Sequence, residues 1–322
     1  MKATAVAHPN IALVKYWGKR DEALILPHQS SLSVTLAPLS VRTTVQFGAA
    51  ADAVRINGEP ARGQELTRVI AAVDLVRAQV KGLGGAVVDS QGDFPKAAGL
   101  ASSAAAFAAL AVASRAAAGL PRDPVAESML ARQGSGSACR SVQGGVCVWH
   151  RGQRPDGTDS YATQAFSADH WPQLRLLVAM VSAEEKDVKS RDGMRSSVET
   201  SPFYGAWAQS AEADIAPMLE AVKAKDLERV GLLAERNAWR MHASAIAADP
   251  PLCYLAPATL ALIRAVAQAR RKGLPAYFTL DAGPNPVLLT DAAHEADVEA
   301  LARAQGATSV VRCVPGGDAR LV

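Results

Sequence analysis

Pro95-Lys96-Ala97-Ala98-Gly99-Leu100-Ala101-Ser102-Ser103-Ala104 leads from a glycine and serine loop straight into an alanine-rich run that stops at Gly119-Leu120-Pro121. Gly99 permits a tight or positive-φ backbone. The two serines supply hydroxyls and an N-cap, and the helix that follows offers free N–H groups at its positive dipole end. That combination suits a phosphate, although a serine-capped helix is the plainer reading of the loop alone. No Walker loop ending in Gly-Lys-Ser or Gly-Lys-Thr occurs, and Gly134-Ser135-Gly136 lacks the third glycine of a dinucleotide fingerprint, so both of those nucleotide folds are set aside.

Before the loop, Ala3 to Ala7, Ser31 to Leu36 and Val41 to Phe47 read as strands, and Asn57-Gly58 as a turn. From Glu65 the period becomes helical, with Leu66, Val69, Ile70, Val73, Val76 and Val80 on one face and Gly82 and Gly84 closing it; a strand returns at Gly85 to Asp89. After the loop come helices from the alanine run and from Pro124 to Arg132, then a strand near Gly145 to Trp149. The second half reads as a strand (Leu174 to Val181), helices (Tyr204 to Val222, Leu227 to Met241, Pro257 to Lys272) and two short strands, Tyr277 to Leu280 and Val287 to Thr290. Mixed order without a repeat predicts an α+β chain of two fused domains, with residues 1–172 in the first and 173–322 in the second.

The 322 residues are 49% hydrophobic and 20% charged, which is a folding composition and excludes disorder or a fibrous repeat. Thirty-four Lys plus Arg against 31 Asp plus Glu leave +3 with no long run of one sign. That argues against nucleic acid as a partner and leaves room for a local basic patch facing a small anion. The N-terminal stretch lacks a signal-like apolar region and the alanine run is too short and polar to favour a membrane span, so the expectation is a cytoplasmic protein without a membrane partner. Cys139, Cys147, Cys253 and Cys313 lie far apart, without metal-ligand spacing, and are expected as reduced, mostly buried thiols.

Three further segments can carry chemistry. In Lys15-Tyr16-Trp17-Gly18-Lys19, two lysines four apart with aromatics between them can clamp an anion, or form an ordinary amphipathic surface. In Gly134-Ser135-Gly136-Ser137-Ala138-Cys139-Arg140-Ser141, small residues let a ligand approach the backbone while Arg140 offers a bidentate fork; the alternative is a glycine turn beside a surface arginine. Asp281, before Ala282-Gly283-Pro284-Asn285, can serve as a base for a hydroxyl or merely build an Asx-turn.

Taken together, these motifs resemble those of the diphosphomevalonate decarboxylases, within the superfamily of galactokinase, homoserine kinase, mevalonate kinase and phosphomevalonate kinase. The similarity runs from Asn10 through the Lys15 to Lys19 run, Pro95 to Ala104, Gly134 to Ser141, Lys186 to Met194 and Asp281 to Asn285. It implies an N-terminal α/β domain with a ribosomal-protein-like β-α-β unit, a C-terminal ferredoxin-like domain and an active-site cleft between them. It implies ATP-dependent conversion of (R)-5-diphosphomevalonate to isopentenyl diphosphate and carbon dioxide, with Mg²⁺ carried by the ATP phosphates rather than by a protein metal motif, in a homodimer.

By the same resemblance, Asp281, Lys15, Arg140 and Ser103 are the catalytic set. Asn10, Tyr16, Lys19, Ser135, Ser137, Ser190 and Arg191 would bind substrate, and Ser90, Pro95, Gly99, Leu100, Ala101, Ser102 and Ser103 would bind ATP. Gly92 and Lys96 depart from the family's usual asparagine and threonine, which bears on the nucleotide side. Residues 186–201 are expected as a mobile loop, and His242 as a packed helical histidine. The rival readings are a relative that acts on 5-phosphomevalonate, one that phosphorylates C3 without decarboxylating, and a non-catalytic sensor of a phosphorylated ligand.

Overall fold

The computed structural model describes residues 1–93, 102–182 and 187–322. Its first half begins with strands β1 (Lys2–Ala7), β2 (Asn10–Val14), β3 (Lys19–Asp21), β4 (Leu26–Pro27), β5 (Ser31–Ala37), β6 (Val41–Ala49), β7 (Ala53–Ile56) and β8 (Glu59–Pro60). Helix α1 (Gly63–Arg77), strand β9 (Gly85–Gly92), helices α2 (Ser102–Ala117) and α3 (Pro124–Gly134), and strands β10 (Val146–Trp149) and β11 (Ala162–Phe166) follow. The second half runs β12 (Leu174–Met180), α4 (Ser190–Thr200), α5 (Tyr204–Lys223), α6 (Leu227–Ile246), α7 (Pro257–Arg271), β13 (Tyr277–Thr279), β14 (Val287–Asp291), α8 (Glu295–Ala304), β15 (Ser309–Pro315) and β16 (Arg320–Leu321).

One sheet has the order β16-β1-β6-β9-β7-β8, with only β7 and β9 parallel. Alternation along β6 sends Val41, Thr43, Val45 and Phe47 inward while Arg42 and Gln46 face solvent, and α1 and α2 cover the inner face. Asn57 and Gly58 both have positive φ, the geometry that a tight hairpin between β7 and β8 requires. Helix α2 is buried almost all round, its alanines letting the sheet, α1 and α3 close on it.

The other sheet has the order β11-β10-β5-β15-β12-β14-β13, with β2 also paired to β5. Strand β12 is buried on both faces: Leu176 and Val178 join a core with α5 and α6, while Leu177 and Ala179 join one with α7 and α8. The pairs Val314 to Ala37 and Pro315 to Leu36 fasten β15 of the second half to β5 of the first, and β16 returns to β1. The α+β expectation therefore holds, and the two halves share one sheet across the cleft.

Two expectations are corrected. The segment from Asn10, open to reading as an amphipathic surface, contains an internal strand, β2, and leaves Lys15 and Lys19 only 1% and 7% exposed. Residues 190–200, expected within a mobile loop, form α4, because Met194 and Val198 reach the core and Gly193 and Ser197 are small enough to sit inside. Among the described residues no helix is long and apolar enough to cross a membrane.

Candidate active site

Lys15 follows β2, and its burial removes the ammonium from water. Its Nζ donates to Asp281 Oδ1 at 2.7 Å and to the Ala12 carbonyl at 2.7 Å, while its backbone N–H donates to Asn237 Oδ1 at 2.8 Å. Asn237 is fixed in turn by donating to Asp214 Oδ2 at 3.0 Å. Desolvation lowers the Lys15 pKa, Asp281 counteracts the shift, and the Arg140 charge adds to it. Asp281 lies just beyond β13 in a turn whose Gly283 N–H donates back to the Asp281 carbonyl at 2.7 Å. Asn285 ties that turn to the end of β12, accepting from Val181 N at 2.8 Å and donating to the Ser182 carbonyl at 3.0 Å. The turn is closed through the Asp281 backbone carbonyl and not, as an Asx-turn would be, through its side chain, which leaves the carboxylate to meet Lys15.

Arg140, 2% exposed, sits on a short 3-10 turn spanning Gly136–Ser141. Its guanidinium donates to Ser33 Oγ at 2.9 Å, Ser31 Oγ at 2.5 Å and Asn10 Oδ1 at 3.2 Å, all neutral acceptors. Asn10 also donates to Ser141 Oγ at 2.7 Å and to the Ser137 carbonyl at 3.0 Å, binding β2 to the turn. Burial lowers the Arg140 pKa, and Asp281 is among the groups that oppose the shift. A guanidinium has five N–H groups, so three bonds leave it donors for a further acceptor. Gly136 lets the turn close on Tyr16, since a Cβ there would stand 2.7 Å from the ring. Tyr16 packs on Trp149 at 4.7 Å between centroids, and burial pushes its hydroxyl well above the phenol range.

A second group of cations lies beside this core. Lys19 Nζ donates to Glu22 Oε2 at 2.5 Å; burial lowers the Lys19 pKa, Glu22 offsets part of the effect, and the Arg191 and Arg195 charges add to it. Ser190 and Arg191 open α4, and Arg191 also acts on Tyr16 and on Arg68. Arg68, on α1, donates to the Gly134 carbonyl at 2.8 Å and lies 4.9 Å over the Phe107 ring. Nothing in the sequence singles it out, because an arginine on a helix beside an apolar face reads as solvated.

Arg68 lines a cavity of ≈ 320 Å³ between the first sheet and α1 and α2, together with Thr43, Asn57, Ser90, Ser103 and Phe107. Ser90 Oγ and Thr43 Oγ1 are 2.9 Å apart, and Ser103 Oγ is 3.2 Å from Ser135 Oγ. The cavity therefore adjoins the N-terminus of α2 and the Gly134 to Ser141 turn. Pro95, Gly99, Leu100, Ala101 and Lys186 lie outside the described residues, and of Ser102 only its place at the start of α2 is described. No group of three His, Cys, Asp or Glu side chains suited to a metal occurs among the described residues.

A buried ammonium paired with a partly exposed carboxylate, a guanidinium with spare donors, a cationic rim and a cavity at a helix N-terminus define an enzyme cleft built for a polyanionic small molecule. Residues 7–162 match the diphosphomevalonate decarboxylase-like N-terminal domain and residues 176–311 the mevalonate 5-diphosphate decarboxylase C-terminal domain. The diphosphomevalonate decarboxylase of Aspergillus fumigatus is 41% identical over 308 residues, covering 89% of this chain and 76% of that protein. The solved structure described as "MDDEF in complex with MVAPP, AMPPCP and Magnesium" superposes with a TM-score of 0.94 at 40% identity, over 100% of this chain and 99% of that one. Mevalonate diphosphate decarboxylase from Staphylococcus aureus gives a TM-score of 0.94 at 36% identity, over 100% and 98% of the two chains. The chain belongs to the diphosphomevalonate decarboxylase family.

Proposed function

We propose that this protein converts (R)-5-diphosphomevalonate and ATP to isopentenyl diphosphate, carbon dioxide, ADP and phosphate. The observation that carries this reading is the Lys15 to Asp281 contact of 2.7 Å with the buried Arg140 beside it, one base and two cations on a single site. Asp281 accepts the proton of the substrate's C3 hydroxyl, and Lys15 fixes the carboxylate and offsets negative charge that grows near it. The spare N–H groups of Arg140 orient the substrate carboxylate, with Asn10 and Ser137 bracing the same turn. Tyr16, Lys19, Ser135, Ser190 and Arg191 face the substrate diphosphate.

The donor set fits ATP with Mg²⁺: the cavity combines apolar lining from Val54, Ile56, Val69 and Phe107 with Arg68, Ser90 and Ser103, which can meet phosphates. Bound Mg-ATP supplies the phosphoryl group and the divalent charge. Ser90 and Ser103 border its side of the cleft, with Ser102 and the Pro95, Gly99, Leu100 and Ala101 loop preceding α2. We assign residues 1–172 to the nucleotide-side domain and 173–322 to the domain bearing Asp281, in a cytoplasmic homodimer whose mass sedimentation would report.

The deciding assay incubates the protein with Mg-ATP and 5-diphosphomevalonate, 5-phosphomevalonate or mevalonate while following ADP and carbon dioxide. Both products should appear together with the diphosphate. ADP without carbon dioxide would make it a C3 kinase, preference for the monophosphate would shift the substrate, and silence with all three would favour a sensor. Asp281→Asn should abolish turnover while leaving ATP binding largely intact.

A further inference from the structure

His242, on α6, is 1% exposed, and its ring nitrogens make no hydrogen bond of full geometry, only a long approach to the backbone of Leu280 and Asp281. A buried polar atom left in this way costs about 1–3 kcal/mol, so its presence asks for a reason. The ring faces the backbone of Leu280 and Asp281 and feels the charges of both Lys15 and Asp281. Its other neighbour is Tyr254, with ring centroids 6.5 Å apart; Tyr254 in turn meets Trp17 edge-on at 5.8 Å. A Cβ at Gly193 of α4 would stand 2.1 Å from the Tyr254 hydroxyl, so α4 presses on the same cluster. His242 therefore stands behind the catalytic pair, where Asn237 of the same helix already holds the Lys15 backbone.

We propose that His242 is a positioning residue: it supports the Leu280 and Asp281 backbone from behind and so aims the Asp281 carboxylate at the hydroxyl it deprotonates. This inference rests on the decarboxylase reading of the site. Burial, with the Lys15 ammonium adding to it, lowers the imidazole to about 4, which keeps the ring neutral at ordinary pH, with one donor and one acceptor. A neutral ring braces the turn without placing another cation against Lys15. Hydrogen bonds that serve catalysis are often long in a free enzyme and shorten when substrate is bound, and the long approach of this ring to the Leu280 and Asp281 backbone is of that kind.

The test compares wild type, His242→Phe and His242→Gln in steady-state turnover of 5-diphosphomevalonate with Mg-ATP, alongside thermal unfolding. In His242→Phe, kcat should fall about 10- to 100-fold, the range that a small misplacement of a reacting group produces. KM for both substrates should stay within about twofold, and the unfolding midpoint should hold or rise because an unsatisfied buried polar group has been removed. His242→Gln, with a donor and an acceptor, should recover most of the lost kcat. Should the phenyl ring not be accommodated, the smaller His242→Leu is read in the same way. Undiminished kcat in an apolar variant, or a kcat loss that tracks a lowered midpoint, would overturn the inference while the wild type remains active. A wild type silent toward every mevalonate derivative would instead remove the decarboxylase reading on which the inference rests.

Discussion

Replacing Lys15 by methionine removes the ammonium and keeps the shape of the side chain. Two unit charges about 4 Å apart interact by about 4 kcal/mol at an effective dielectric near 20. Only the part of that interaction that grows in the transition state affects kcat, and losing a single preorganised donor at developing charge lowers kcat about 10²- to 10³-fold. Stability should move much less. Breaking a fully buried pair costs about 3–5 kcal/mol, but the Asp281 side chain is 32% exposed, so water can reach the carboxylate left behind. The Ala12 carbonyl, which also loses the ammonium, keeps a donor in Thr279 Oγ1 at 3.1 Å. A loss of about 1–2 kcal/mol is therefore expected, below the fully buried case. Release of ADP and carbon dioxide from 5-diphosphomevalonate, with thermal unfolding run in parallel, measures both quantities. A Lys15→Met protein with kcat within about fivefold of wild type would refute the role given to the ammonium; one that fails to fold would refute the stability argument.

Because burial lowers the Lys15 pKa, the alkaline limb of kcat should set in below the ordinary lysine value of about 10.4. In that window the unfolded chain binds more protons than the folded one, so the Lys15 contribution to stability rises with pH while activity falls; pH profiles of kcat and of the unfolding midpoint, compared with Lys15→Met, separate the two. Gly18 has φ +92, and a Cβ there would stand 2.0 Å from the Tyr204 hydroxyl, which meets His28 Nδ1 at 2.7 Å. Gly18→Ala should cost about 2–4 kcal/mol in a denaturant titration and raise KM for the diphosphate substrate by shifting Lys19; an unchanged midpoint would contradict the packing. Cys139 and Cys313 are buried with thiols pushed up to about 12, Cys147 is buried as well, and Cys253 is exposed. Alkylation near neutral pH should label one thiol quickly, Cys253→Ser should abolish the fast phase, and a second fast thiol would count against the fold around Cys139.

What the sequence discloses depends on how local its cause is. Strand β6 declares itself by alternation, the hairpin at Asn57 and Gly58 by residue types that accept positive φ, and α2 by its alanines. The motifs around Asp281, Arg140 and Lys15 stand out because they resemble a family pattern, and burial decides against the surface readings left open for the last two. Strand β2 escaped because lysines close a run that becomes internal only when β5 and the 3-10 turn supply acceptors from distant positions. The sequence of α4 reads as a loop because its polar residues outnumber the few that pack. Asn237 and Arg68 escape a sequence reading for one reason: each acquires its meaning from a partner far along the chain, and nothing in its own neighbourhood sets it apart; His242 reads as a packed helical histidine and is one, but its place behind Asp281 is equally non-local.

The charges within the cleft are unequal, and that imbalance connects the fold to the chemistry. Lys15 and Arg140 are both buried, each pKa is lowered first by desolvation, and Arg140 acts against Lys15. Lys19 adds a third buried cation, lowered further by Arg191 and Arg195. Against them stand Asp281 and Glu22, both still reached by solvent, while the acceptors around Arg140 are neutral. Burying these cations costs desolvation that Asp281 and Glu22 offset only in part in the free chain, although removing one partner of a formed pair still destabilises. This arrangement is held in place by elements that owe nothing to the site: β15 on β5, β16 on β1, and the core shared by β12, α5 and α6. A polyanion entering the cleft supplies the missing negative charge, and its binding free energy then adds to the folding free energy, about 2.7 kcal/mol at a hundred times Kd. The cations whose desolvation is incompletely offset in the free protein are thus the ones through which its substrates should stabilise it, and substituting them should remove more of that ligand-induced gain than of the stability of the free chain.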